Sequence, residues 1–111
     1  MKLSVTLATY NEAANISRCL EAVKDIADEI IVVDGSSTDM TREIAKSFGA
    51  HVIKTTNPTI FHINKQKAND LAKGDWILQL DADEIVTPEL KKEIKLLLSD
   101  KYYGVDRWVS P

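Results

Sequence analysis

The stretch Trp76-Ile77-Leu78-Gln79-Leu80-Asp81-Ala82-Asp83-Glu84 reads as a short apolar strand that runs without a spacer into two carboxylates one residue apart. Helical patterns flank it. Upstream, a helix is expected over about residues 61–73, with Ala68, Leu71 and Ala72 on one side, Lys65, Lys67, Asn69 and Asp70 on others, and Gly74 as its end. Downstream, Thr87 as N-cap and Pro88 at the first helical position open a helix with the apolar stripe Leu90, Ile94, Leu97 and Leu98. The same alternation extends toward the N-terminus. Residues 3–8 are a β-rich run, followed by polar Thr9-Tyr10-Asn11-Glu12 and helical spacing at Ile16, Cys19, Leu20 and Val23. Glu29-Ile30-Ile31-Val32-Val33 is continuous and apolar, as in a strand covered on both faces, and it ends at Asp34. Residues 35–39 then supply capping side chains for a helix over about 40–48 that Gly49 stops. A third strand is expected over 51–54 before the break at Asn57-Pro58, and residues 103–109 read as the start of a further strand.

Strands alternating with helices signify repeated βαβ units, hence an α/β fold with a mostly parallel sheet between two helical layers. Right-handed crossovers with one reversal give the strand order 3-2-1-4. In such sheets ligands bind beyond the carboxyl ends of the strands, near the reversal. Three strands end there in polar groups: Thr9-Tyr10-Asn11-Glu12, the run from Asp34 to Asp39, and Asp81-Ala82-Asp83. One site can use all three.

The chain of 111 residues matches one domain, or one piece of a larger one, at a usual domain size of about 100–150 residues. Its composition, 44% hydrophobic and 28% charged, supports a packed core without disulfides or a structural metal. A net charge of -3 with no basic block argues against nucleic acid as a partner. The lone Cys19 cannot form an intramolecular disulfide, which fits a reducing compartment, and a cytoplasmic location is expected. The opening residues are too short for a signal peptide, and no apolar run approaches the ~18 residues of a membrane span. Any membrane contact is therefore expected to be peripheral or to lie outside this chain.

Asp81 and Asp83 present two hard oxygen ligands at one turn. Mg²⁺ and Mn²⁺ suit that chemistry, taking one or two carboxylates together with waters and substrate phosphates. A nucleoside diphosphate is the natural third party. The competing reading is a capped turn, since acids just before a helix are favoured by its dipole. Asp34 reads as an acceptor for a base or ribose with Gly35 permitting close approach, or as plain Asp-Gly turn chemistry. Asp39 reads as a ligand or an N-cap, Asn11 and Glu12 as ligands or caps of the first helix, and Tyr10 as a ligand or packing. Lys65 and Lys67 either face the diphosphate or are solvated. His51 and His62 read as surface residues, Cys19 as core, and Trp76 and Trp108 as packing.

The ordered set Leu7-Ala8-Thr9-Tyr10-Asn11-Glu12, Ile31-Val32-Val33-Asp34-Gly35-Ser36-Ser37-Thr38-Asp39, Gly74-Asp75-Trp76-Ile77-Leu78 and Leu80-Asp81-Ala82-Asp83-Glu84 resembles the family 2 glycosyltransferases over residues 2 to about 98. The form of the last two segments looks like bacterial enzymes that add sugars to lipopolysaccharide core. The resemblance implies the three-layer Rossmann-like GT-A fold, with residues 1–111 as its nucleotide-sugar-binding half and an acceptor-binding half beyond. It implies that Thr9, Tyr10 and Glu12 line the nucleotide pocket, that Asp34 contacts the base, and that Lys67 is a basic nucleotide contact. Asp81 would lie near ribose and metal, and Asp83 would ligate Mg²⁺ or Mn²⁺. The implied reaction is inverting, metal-dependent hexosyl transfer from a nucleotide-diphosphate sugar, a UDP-sugar in the first instance, to a glycan or lipid-linked acceptor. The acceptor site and the carboxylate base are then expected outside this chain, which reads as truncated and, with its sheet unfinished, as a homo-oligomer. Two rivals share the motifs. One is a nucleotide- and metal-binding module without catalysis. The other is a phosphatase of the haloacid dehalogenase type, whose D-x-D normally opens its domain, whereas here three strands precede it, and which prefers Thr or Val where Ile85 stands.

Overall fold

Every residue of β1 (Leu3–Thr9) is buried, because the first strand of the chain lies inside the sheet with a neighbour on each edge and helices on both faces. The computed structural model describes residues 2–56 and 61–99. The expected break at Asn57-Pro58, the further strand over 103–109 and Trp108 lie outside the described residues. On one edge β1 pairs with β2 (Glu29–Asp34), which pairs in turn with β3 (His51–Lys54). On the other it pairs with β4 (Trp76–Leu80). All pairings are parallel and the order is β3-β2-β1-β4, as the crossover argument requires. The registers Thr9↔Asp34, Asp34↔Lys54 and Leu7↔Leu80 bring the carboxyl ends of all four strands to one edge.

The helices are α1 (Ile16–Val23), α2 (Thr41–Ser47), α3 (Phe61–Leu71) and α4 (Pro88–Leu98). Leu3, Val5 and Leu7 of β1 pack with Ile16, Cys19, Leu20 and Val23 of α1, Ala45 of α2 and Ile94 of α4 in the larger core cluster. The opposite face holds a smaller cluster of Ile31, Val33 and Ala68 under α3. Thr87 caps α4 as expected, its Oγ1 accepting from Leu90 N at 3.1 Å. Gly49 stands at φ +80°, the left-handed stop after α2. No helix among the described residues is long and apolar enough to cross a membrane.

The expectation for α3 needs correction. Leu71 is 44% exposed, whereas Asn64 is 1% exposed and Asn69 is half-buried. Polar residues of the facing sheet account for this. Thr6 Oγ1 donates to Asn69 Oδ1 at 2.7 Å, Asn69 Nδ2 donates to Gln79 Oε1 at 2.8 Å, and Thr55 Oγ1 donates to Asn64 Oδ1 at 3.2 Å. Buried amides that find such partners serve as core. After α3, Gly74 N donates to Ser4 Oγ at 2.8 Å and Lys73 N to Glu29 Oε2 at 2.6 Å, stitching the turn into β4 to the strands beside it.

Candidate functional site

Two loops leave the carboxyl ends of β1 and β2 and are bonded to each other. Asn11 N donates to Ser37 Oγ at 2.8 Å, Thr38 N to Asn11 Oδ1 at 2.8 Å, Glu12 N to Thr41 Oγ1 at 2.9 Å and Ala13 N to Asp39 Oδ2 at 3.1 Å. Each loop turns on one left-handed residue, Asn11 at φ 53° and Ser36 at φ 65°. Asparagine tolerates that conformation through local side-chain hydrogen bonds, and Ser36 is held in it by a 2.5 Å bond from its Oγ to Thr55 O.

Asp34 lies under this rim with no exposed surface. Its Oδ1 accepts from Thr9 Oγ1 at 2.7 Å and Ser37 Oγ at 2.6 Å, and its Oδ2 from Ser37 N at 2.8 Å and Arg42 Nη1 at 2.9 Å. Burial works against its charge, yet the bonds from Ser37, Thr9 and Arg42 outweigh burial and hold the carboxyl below its ordinary value. Asp39 is held low in the same way, by Thr41 and the Ala13 amide against desolvation. Its carboxylate ties the loop before α1 to the first residue of α2, accepting from Ala13 N and Thr41 N, while the N-cap position of α2 is Met40.

Beside the rim, a cleft of about 310 Å³ is lined by Ala8, Glu12, Lys65, Asp81, Ala82 and Asp83. Glu84 closes the turn that follows β4: Asp81 N donates to Glu84 Oε1 at 2.7 Å and Glu84 N to Asp81 O at 2.9 Å. Ala82 joins the core at 3% exposure, while the side chains of Asp81 and Asp83 remain exposed. A small apolar residue thus anchors the turn between two exposed carboxylates. Lys65 Nζ lies 2.9 Å from Asp81 Oδ1. Cys19 reports the local charge from below, its Sγ 3.7 Å from Asp81 O. Burial first, then the carboxylates of Glu84, Asp83, Asp81 and Glu12, push the thiol up to about 12.

The structure therefore brings Glu12, Asp81 and Asp83 together, with Tyr10 half-buried on the loop between Thr9 and Glu12. It does not bring Thr9 or Asp34 to the cleft surface, because both are wholly buried and bonded to each other. Lys65 lines the cleft and Lys67 does not. The two lie about 200° apart around the helix, and Lys67 is exposed beside His62, Ile63, Gln66 and Asp70 in a separate hollow. The sequence shows both lysines, and only the rotation of α3 chooses between them. Among the described residues no group of three or more His, Cys, Asp or Glu side chains is placed to hold a metal ion. Asp81 and Asp83 suit an ion that takes one or two carboxylates and fills its remaining positions with water and phosphate.

Comparisons with known proteins converge on this architecture. Residues 4–109 match the family described as Glycosyl transferase family 2. An uncharacterized glycosyltransferase of Rickettsia bellii (strain RML369-C) is 44% identical over 110 residues, covering 98% of this chain and 36% of the relative. Among solved structures, S. aureus TarS 1-349 superimposes with a TM-score of 0.76 and 26% identity, over 88% of this chain and 32% of that one. Glucosyl-3-phosphoglycerate synthase from Mycobacterium tuberculosis, in complex with Mn²⁺, uridine-diphosphate and glucosyl-3-phosphoglycerate, gives a TM-score of 0.69 and 25% identity, over 90% of this chain and 40% of that one. The chain spans about a third of the length of the curated relatives it matches.

Proposed function

Because the chain belongs to glycosyl transferase family 2, we propose that it forms the donor side of an inverting, metal-dependent hexosyl transfer from a UDP-sugar to an acceptor hydroxyl. The observation that carries this reading is the convergence of Glu12, Lys65, Asp81 and Asp83 in one cleft at the carboxyl edge of a parallel sheet. The Mn²⁺ and uridine-diphosphate bound by the mycobacterial synthase support the choice of ion class and nucleotide.

Asp83 and Asp81 are the residues that would hold Mg²⁺ or Mn²⁺. When bound, the ion neutralises the donor diphosphate and favours its departure as a leaving group. Lys65 supplies a second positive charge on the same cleft wall, which offsets the negative charge that develops on the diphosphate. Tyr10 is read as lining the nucleotide pocket, while Thr9 and Asp34 act through the rim that they hold rigid. The base that removes the acceptor proton is expected in the part of the relatives that this chain does not span. The acceptor is read as a glycan or lipid-linked molecule, with lipopolysaccharide core resting on the form of residues 74–84 alone. A cytoplasmic location rests on the lone buried Cys19.

Calorimetric titration of UDP with and without Mn²⁺, on the chain and on Asp83→Ala, tests the donor site. Metal-dependent binding weakened at least about tenfold by the substitution is expected, since a direct metal ligand is removed. Failure to bind UDP, GDP and dTDP in the presence of metal would overturn the reading. The cleft residues equally suit a second reading, a donor-binding module without turnover. Release of free sugar or glycoside from a UDP-sugar would exclude it.

A further inference from the structure

We propose that Lys65 is the resident cation of the cleft: its ammonium occupies the carboxylate of Asp81, and a divalent metal that takes this carboxylate must displace it. This inference deepens the donor-site reading and rests on it. Among the described residues, three carboxylates, Glu12, Asp81 and Asp83, line the cleft against the one ammonium of Lys65. Glu84 adds its charge close by, since all four acids raise the Cys19 thiol. A cleft so charged repels a diphosphate until a cation is added. Lys65 meets that need in part, 2.9 Å from Asp81 Oδ1, with 29% of its side chain exposed against 52% for Asp81.

The backbone that carries Lys65 is fixed. Asn64 and Ala68 on either side of it are buried, and Asn69 is bonded to both Thr6 and Gln79. The ammonium therefore leaves Asp81 by rotation of its own flexible stem, without movement of α3. Lys65 then acts with opposite sign on the two ligands. It competes with a metal that arrives alone, and once displaced it is free to meet the diphosphate that accompanies the metal. Metal and nucleotide must on this account bind with positive coupling, each raising the affinity for the other by the same factor.

The test is calorimetric titration of Mn²⁺ alone, followed by UDP at saturating Mn²⁺, into the chain and into Lys65→Met, Lys65→Arg and Asp83→Ala. Lys65→Met should bind Mn²⁺ alone about two- to fivefold more tightly, the range set by a partly exposed ion pair. Its UDP affinity in Mn²⁺ should fall several-fold. Lys65→Arg keeps the charge and should bind Mn²⁺ as weakly as the parent chain. Unchanged or weaker Mn²⁺ binding by Lys65→Met overturns the inference, and so does a Lys65→Arg protein that behaves like Lys65→Met. If Mn²⁺ binding is lost in Asp83→Ala yet indifferent to Lys65→Met, only this inference fails and the donor site stands. If neither the parent chain nor any variant binds Mn²⁺ alone while the parent binds UDP in its presence, this inference fails and the donor site stands; if UDP is not bound with Mn²⁺ either, both fail together.

Discussion

Asp34 accepts four hydrogen bonds at zero exposure, so its removal takes a partner from three other donors and from the Arg42 guanidinium, which keeps only Ser37 O of its two acceptors. We expect Asp34→Ala to lower stability by about 3 kcal/mol or more in chemical denaturation, the range for breaking a buried charged pair. Asp34, Asp39 and Asp28 all have carboxyls held below their ordinary value, Asp28 by the backbone amides of Leu3 and Lys2. A folded value below the unfolded one gives stability that is complete above about pH 4 and is lost as pH falls through the folded values. Denaturation midpoints should thus be flat from pH 7 to 5 and drop steeply below pH 4, and Asp34→Asn should flatten that acid limb. A limb unchanged by the substitution would remove Asp34 as its source. The sequence shows Asp34 plainly as a strand-end acid, yet Asp-Gly is equally a turn and a ligand, and the burial that decides between them comes from Thr9, Ser37 and Arg42 across two loops. Asp81 and Asp83 are legible for the converse reason. A strand fixes the direction of its own last residue, and one small buried residue between two acids leaves both exposed at the cleft.

Gly74 shows how tightly the turn between α3 and β4 is fitted. A Cβ there would lie 2.7 Å from Ser4 Oγ and 2.8 Å from Ser4 N, so the turn must shift or lose its bond to Ser4. Gly74→Ala should lower stability by about 1–3 kcal/mol, the usual cost of overpacking, read as a shifted denaturation midpoint at unchanged slope. A neutral result would mean that the turn yields freely. The sequence marks Gly74 as the end of a helix and leaves its second duty unseen, because Ser4 is remote in the chain. The same remoteness explains α3. Strands and helices with an apolar period can be read directly, as β1, β2, α1 and α4 are. Asn64 and Asn69 break that period because their partners lie on β1, β4 and the segment after β3, and no local pattern announces a buried amide. The elements of the site are thus legible one by one, and the rotation of α3 that selects Lys65 is not.

Among the described residues β3 pairs only with β2 and β4 only with β1, leaving two open strand edges. Edges of this kind recruit other strands. We therefore expect the chain on its own to self-associate, which sedimentation velocity at high micromolar concentration would show as a dimer or larger species, while a monomeric profile would reject it. The order β3-β2-β1-β4 also sets a schedule. The strand made first lies between its neighbours, and its second partner arrives late: Gly74, which leads into β4 and donates its amide to Ser4 Oγ, is separated from Ser4 by 70 residues. At roughly 5–20 residues per second, a ribosome takes about 4–14 s to cover that distance. Throughout that interval an apolar strand stands with one side unclaimed, so the newborn chain has a window in which a chaperone, or a second nascent chain, can reach β1 before β4 does.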